Sequence, residues 1–330
     1  MKYRAFGNTD LTVSEIGFGA WAIGGPAEVG GIPIGWGNSD DRISILAIRQ
    51  ALNSGINFFD TADFYGLGHS EELLGKELAK EKEILIASKV GHRKSADDKI
   101  VLDYSYEYII SACEASLKRL RRDHIDYYQL HTAKVVDFEN GECLAALAKL
   151  KADGKIRYWG VSLNTFNPFP EADYLIEKKL CQGLQLVLNV LNQRALPIVR
   201  DAEKNSIGVI ARMPLQFGLL TGKFTPESTF EKDDHRSFRL TPEIIQKSNE
   251  ALKPAWDLLQ KYDATKLGLS LSYILSYPGV STVIPGLRTS EQVKENVNKL
   301  VEITDDDRKF LEELNAEQLE NLVGLMQKQG

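Results

Sequence analysis

Four side chains at or just beyond the ends of apolar runs could perform acid–base chemistry: Asp60, Tyr65, Lys89 and His131. Asp60 ends the run Asn57-Phe58-Phe59-Asp60, Lys89 ends Ile84-Leu85-Ile86-Ala87-Ser88-Lys89, and His131 ends Tyr127-Tyr128-Gln129-Leu130-His131. A free tyrosine has a pKa of about 10, too high for an acid poised at neutral pH, but a neighbouring ammonium stabilises the phenolate and lowers that value. Lys89 supplies the ammonium, Asp60 the carboxylate that keeps it protonated and oriented, and His131 a donor for a substrate oxygen. Such an acid would protonate the oxygen of a C=O as hydride arrives at its carbon. No side chain donates hydride, so the reading requires a nicotinamide cofactor. A Schiff-base role for Lys89, as in aldolases, needs a neutral lysine, and Asp60 and Tyr65 favour the charged form.

The elements that must bring these groups together are short apolar runs near 15–18, 57–59, 84–88, 126–130, 156–161, 183–187, 208–211 and 281–284. They alternate with helical patterns such as Asp40 to Gly55, Ser70 to Lys80, Ser105 to Arg121 and Gly141 to Gly154, several closed by a glycine suited to a helix C-terminus. Strand–helix repetition with short connections implies parallel pairing, and eight units close a barrel. The sequence therefore predicts an α/β fold, a (β/α)8 TIM barrel, in which the carboxyl tips of the strands carry the chemistry.

Several pieces exceed the eight units. Tyr3-Arg4-Ala5-Phe6 and Leu11-Thr12-Val13, joined by Gly7-Asn8-Thr9-Asp10, read as an N-terminal β-hairpin able to plug the bottom of the barrel. The glycine-rich insertion Gly24 to Asn38 follows the first strand and would shape the substrate mouth. Met213 to about Thr241 shows no period and reads as a long loop, a feature that is usually functional or disordered. Thr304 to Gln327 reads as a peripheral helical segment packed outside. The absence of a low-complexity linker predicts one domain over residues 1–330.

The chain has 330 residues, 43% hydrophobic and 26% charged, and its 46 acidic and 40 basic residues give a formal charge of −6. That charge is spread along the sequence, which argues against nucleic acid or an anionic membrane as partner and favours a small molecule. Cys113, Cys143 and Cys181 are odd in number and lack metal-ligand spacing, so they are expected to be reduced core thiols. His69, His92, His124 and His235 are expected at the surface, with no metal site. The start lacks the apolar stretch of a secretory signal, and no segment reaches the roughly 18 apolar residues of a membrane span, so a cytoplasmic protein is expected.

No G-x-G-x-x-G follows a strand with the acidic residue at the proper distance, which rejects a Rossmann site. The run Phe58-Phe59-Asp60-Thr61-Ala62-Asp63-Phe64-Tyr65-Gly66 with Ser70-Glu71 resembles instead the signature of the aldo-keto reductases, and Lys89 and His131 fall where that family has its other two catalytic residues. The resemblance continues through Gly160-Val161-Ser162, Gln185 to Asn189, Pro214-Leu215 with Gly218-Leu219-Leu220-Thr221-Gly222-Lys223, and Ile284-Pro285-Gly286 with Arg288, Gln292 and Glu295-Asn296.

The resemblance implies a barrel binding NADP(H) in extended form and catalysis by Tyr65 with Asp60, Lys89 and His131. Gly19, Ala20, Trp21 and Asp60 would border nicotinamide and substrate, and Ser162 and Gln185 would hold the carboxamide. Gly218, Leu220, Gly222 and Lys223 would wrap the pyrophosphate, and Pro214 and Leu215 would also touch the cofactor. At the adenosine end, beside Gly286, Arg288 with Gln292 would meet the 2′-phosphate, and Glu295 with Asn296 the adenine; a guanidinium there favours NADP over NAD. Arg212 stands where many members stack an aromatic ring on nicotinamide, and a guanidinium can either stack or bond there. After Ser162 the usual asparagine is replaced by Leu163, with Asn164 one place later. Arg236 and Arg239 read either as a phosphate clamp or as solvated charges. The same motifs occur in the β subunits of voltage-gated potassium channels, so a cofactor-sensing regulatory subunit is the alternative function.

Overall fold

A computed structural model describes residues 1–37, 39–232 and 234–329; Asn38, which ends the insertion, Asp233 of the long loop and Gly330 lie outside the described residues. Eight parallel strands form the barrel: β1 (Phe18–Gly19), β2 (Phe58–Asp60), β3 (Leu85–Val90), β4 (Ile125–His131), β5 (Ile156–Ser162), β6 (Gly183–Val187), β7 (Gly208–Arg212) and β8 (Thr282–Ile284). Each pairs with its neighbour in sequence order. The seam between β1 and β8 is held by the isolated bridges Ile16–Val283 and Gly19–Gly286, so the barrel is nearly closed. The first strand is shorter than expected and shifted toward its carboxyl end. A Cβ on Gly19 would stand 2.7 Å from the Pro285 carbonyl oxygen, so only glycine lets the chain cross this seam.

The helices between strands follow the predicted stretches: α1 (Asp41–Asn53), α2 (His69–Leu78), α3 (Tyr106–Leu120), α4 (Glu142–Ala152), α5 (Phe169–Glu177), α6 (Leu196–Lys204), α7 (Lys266–Leu275) and α8 (Ser290–Asn298). Asp40 caps α1 by accepting from the Arg42 amide at 2.7 Å, and α3 ends at Arg121 in the left-handed region (φ 53°), where a glycine is the more usual choice.

The hairpin pairs Tyr3–Ala5 with Thr12–Ser14 in antiparallel register and closes the bottom of the barrel. Phe6, Leu11 and Val13 form one apolar cluster with Phe58, Leu85, Ala87, Tyr127, Ile210 and Ile284. Room for the Phe6 ring comes from missing side chains: a Cβ on Gly183 or Gly208 would lie 2.5 or 2.8 Å from its carbons, and one on Gly160 would lie 1.9 Å from the Tyr127 hydroxyl. The closing segment is helical over Asp305–Leu314 and Glu320–Gln327, with one π turn at Asn315–Leu319. It does pack on the outside, burying Leu311, Leu314, Leu319 and Leu322, and it also reaches the upper loops, where Met326 Sδ accepts from Gln216 Nε2 at 3.4 Å. Among the described residues no helix is long and apolar enough to cross a membrane, and the three cysteines are buried and free.

Candidate active site

Because side chains alternate along a strand, every second residue of each barrel strand faces inward. Two residues above the apolar bottom layer the inward positions become polar: Asp60 on β2, Lys89 on β3, Gln129 and His131 on β4, Ser162 on β5, Gln185 on β6 and Arg212 on β7. Parallel register sets them side by side, Gln129 opposite Lys89, His131 opposite Ser162, and Ser162 opposite Gln185.

The centre is a buried ion pair. Lys89 and Asp60, 0% and 2% exposed, meet at 2.5 Å from Nζ to Oδ1, and Nζ also donates to the Thr61 carbonyl at 2.8 Å and to the Tyr65 hydroxyl at 3.2 Å. Burial alone would lower the lysine pKa, but the charge of Asp60, the Tyr65 oxygen and the hydrogen bonds to both outweigh it and leave the value raised. Lys89 is therefore a cation, which disfavours the Schiff-base reading. The second Asp60 oxygen, Oδ2, accepts from Gln185 Nε2 at 2.7 Å and Gln129 Nε2 at 2.9 Å. Gln129 was not singled out in the sequence. Its place two residues before His131 on one strand was the signal that could have found it.

Tyr65 sits beyond β2 in a tight 3-10 turn, Tyr65–Gly68, in which Gly66 has φ 62° and a Cβ there would lie 2.0 Å from the Gly24 carbonyl oxygen. Glycine at this position is what lets the first two loops touch. The turn is anchored below by Ser70, whose hydroxyl lies 2.8 Å from that of Thr61 and donates to the Ala20 carbonyl at 2.9 Å, and by the fully buried Glu71, which accepts from Ser88 and Arg119. The Ser70-Glu71 portion of the signature is thus a scaffold for the loop carrying the phenol. The Tyr65 ring lies between Trp21, stacked at 6.0 Å, and His131, edge-on at 6.1 Å.

His131 is packed against His92, with ring centroids 4.3 Å apart and planes within 10°. Burial first, then the nearby His92, Lys89 and Arg212, hold its pKa well below the ordinary value, and burial holds His92 at about 4. Both imidazoles are neutral at physiological pH. His92 and His235 are not the surface residues the sequence suggested: His92 bonds Thr132 at 2.8 Å, and His235 is 2% exposed among Trp21, Trp36 and Phe217. Among the described residues no group of three His, Cys, Asp or Glu could hold a metal ion.

The remaining expected positions fall into two groups. Ser162 Oγ donates to Gln185 Oε1 at 3.2 Å, beside the tetrad. Arg212 is there too, but Nη2 donates to the Leu163 carbonyl at 3.0 Å and to Thr165 Oγ1 at 3.1 Å. Asn164 is occupied locally, its Oδ1 accepting from the amides of Phe166 and Asn167. The long loop is folded, not structureless. Pro214 and Leu215 lead into a turn over Gln216–Thr221, with Gly218 and Gly222 in the left-handed region (φ 94° and 71°) and Leu220 in the core. Trp36 bridges Asp234 across the mouth, joining the insertion after β1 to the loop after β7.

The second group lies at the rim. Gly286 precedes Arg288, which with Ser39, Asp40, Ile43 and Thr289 lines a cleft of about 400 Å³. Gln292 is spent on the α8 cap, its Oε1 accepting from the Arg288 and Thr289 amides. Lys223 and Glu295 face each other at 3.7 Å, and Asn296 is buried with Oδ1 unpartnered. An unused buried acceptor, two left-handed glycines and an arginine without a carboxylate partner among the described residues fit a nucleotide laid across this rim.

Comparison with known proteins agrees with this geometry. Residues 15–316 match the model of the Aldo/keto reductase family. The NADH-specific methylglyoxal reductase of Escherichia coli (strain K12) is 32% identical over 335 residues, covering 97% of this chain and all of the relative. A probable voltage-gated potassium channel subunit beta of Arabidopsis thaliana is 27% identical, covering 90% of each chain. Among solved structures, the glycerol dehydrogenase AKR11B4 from Gluconobacter oxydans superposes with a TM-score of 0.79 at 30% identity, covering 96% of this chain and 95% of that one. A barrel with this tetrad at its upper rim, matched over nearly its whole length by that family's model, makes this chain a member of the aldo/keto reductase family of oxidoreductases.

Proposed function

We propose that this protein is an NADP(H)-dependent reductase of aldehydes or ketones in which Tyr65 is the general acid and base. The observation that carries the reading is the single ammonium of Lys89 bonded at once to Asp60 and to the Tyr65 oxygen. Tyr65 donates its proton to the carbonyl oxygen, and the phenolate left behind is stabilised by Lys89, itself held cationic by Asp60. His131, neutral, donates to the same carbonyl oxygen and fixes it beside the phenol. Trp21, packed against Trp36 and His235, shields one side of the Tyr65 ring from solvent. The bound nicotinamide would supply the hydride that no side chain can. Ser162 and Gln185 would hold its carboxamide, Gly218 to Lys223 its pyrophosphate, and Glu295 and Asn296 its adenine.

The test of the acid is Tyr65→Phe, followed by aldehyde-dependent NADPH oxidation; undiminished turnover in a protein that melts like the parent removes Tyr65 from the role. Preference for the 2′-phosphate rests on Arg288, opposed by the Asp40 carboxylate in the same cleft. Comparing kcat/KM for NADPH and NADH in the parent and in Arg288→Ala reads that balance, and a parent that favours NADH shows Asp40 prevailing, as befits a relative that is NADH-specific. The likeness to a potassium channel subunit supports a second, weaker reading as a cofactor sensor. Steady multiple turnover over a panel of aldehydes excludes it.

A further inference from the structure

Two arginines at the mouth of the site lack the anion that buried guanidinium groups require. Arg212 rises from the tip of β7 into the same layer as Lys89 and His131, and Arg239 ends a short helix, Arg236–Arg239, in the loop that crosses the opening. No carboxylate lies within ion-pair distance of either among the described residues, in contrast to the neighbouring Arg236, which is bonded to Asp234. The Nε of both Arg212 and Arg239 is buried and without a partner. Burial lowers the pKa of both; at Arg212 the charges of Tyr65 and Asp60 oppose that fall and the nearby Arg239 adds to it. Arg239 lines a crevice whose walls include Thr165, Met213, Phe217 and Leu240, and Arg212 lies behind that wall, bonded to Thr165 and in contact with the Met213 sulfur at 3.1 Å.

The crevice is linked to the reacting groups by a run of packed rings. The Arg239 guanidinium lies over the Phe217 ring at 5.3 Å, Phe217 touches His235 at 4.9 Å, His235 touches Trp21 at 4.7 Å, and Trp21 stacks on Tyr65. Desolvated cations left unpaired are costly, and paired donors of this kind match the geometry of a carboxylate or phosphate. We propose that Arg239, backed by Arg212, is an oxyanion subsite for the substrate, so that the preferred carbonyl compound carries a carboxylate or phosphate away from its reacting end. This rests on the reductase reading above and names the substrate class of that same site.

The test pairs neutral and charged aldehydes of matched shape, butanal with 4-oxobutanoate and benzaldehyde with 4-carboxybenzaldehyde, in the parent and in Arg239→Gln and Arg239→Lys. The parent is expected to favour the anionic member of each pair by at least about tenfold, and Arg239→Gln to lower that preference by roughly 10- to 100-fold, the value of a charge-assisted hydrogen bond, with Arg239→Lys keeping part of it. The cofactor dissociation constant, followed by NADPH fluorescence, distinguishes the sources of the anion: a loss of cofactor affinity with an unaltered preference assigns Arg239 to the cofactor pyrophosphate and overturns the substrate claim. Equal turnover of charged and neutral aldehydes by the parent overturns it without any variant. Absence of turnover with all four aldehydes counts against the reductase reading instead.

Discussion

At the lower end of the barrel the inward residues are Phe58, Ala87, Tyr127, Gly160, Gly183 and Ile210; one inward step higher on the same strands they are Asp60, Lys89, Gln129, Ser162, Gln185 and Arg212. The lower layer is closed by Phe6 and excludes everything but hydrocarbon and the Tyr127 phenol. The upper layer packs charges and amides that satisfy each other, with donors left over at its edge. A single strand thus serves stability at one end and, in the proposed function, chemistry at the other, and about 7 Å of strand rise separates the two. The polar layer is affordable only because the plug beneath it is dry, since the Lys89–Asp60 attraction is strong where water is absent and weak where it is not.

If that division is real, substitutions at the top should cost activity ahead of stability and those at the bottom the reverse. The largest effect is expected from Lys89→Met, which abolishes measurable turnover and, by leaving Asp60 buried without its cation, also destabilises by about 3–5 kcal/mol; chemical denaturation alongside steady-state kinetics reads both. Next, Phe6→Ala should lower stability by about 3–5 kcal/mol through the cavity it leaves, while kcat of the folded protein at low temperature stays near the parent. A kcat that falls with the melting temperature would show the plug to be part of the catalytic apparatus. Gln129→Leu removes one of two donors to Asp60 Oδ2 and should cost about 1–3 kcal/mol, read as a fall in kcat larger than any change in KM.

The histidines sharpen the comparison through pH. Burial depresses the folded-state pKa of His131 and holds that of His92 at about 4, so below about pH 6.5 the unfolded chain takes up protons that the folded one refuses. Their contribution to stability is complete above that pH and is lost on acidification, over the window from 6.5 to about 4 for His92, with a slope approaching about 1.4 kcal/mol per pH unit for each group. Melting temperature measured from pH 7.5 to 5 should fall accordingly, and kcat/KM should show no inflection near 6.5. An inflection there would mean that His131 titrates in the working enzyme and acts as a cation.

Much of this was legible from the chain alone because the relevant signals are local. Eight apolar runs separated by amphipathic stretches fix a parallel, wound sheet, and an ionisable residue at the end of a run already locates the reacting end. The hairpin plug was legible for the same reason, since alternation and a four-residue turn are short-range properties. The loop from Met213 to Thr241 was not. Its order comes in part from contacts with a distant segment, Trp36 with Asp234 and Arg236 over the Trp36 ring, which leave no period in the sequence. Gln292 shows a second role that the motif did not reveal: the fold uses its Oε1 to cap α8.

The sequence by itself determined which residues can transfer a proton and which strand ends they occupy, because side-chain chemistry and period-two alternation are carried by the residues themselves. Only the tertiary structure decided that Asp60 is held by two glutamines, that His131 and His92 are stacked and neutral, and that Arg239 lines a crevice with no carboxylate partner among the described residues. Those outcomes depend on burial and on what happens to stand opposite across the barrel, and neither is a property of any short stretch of chain.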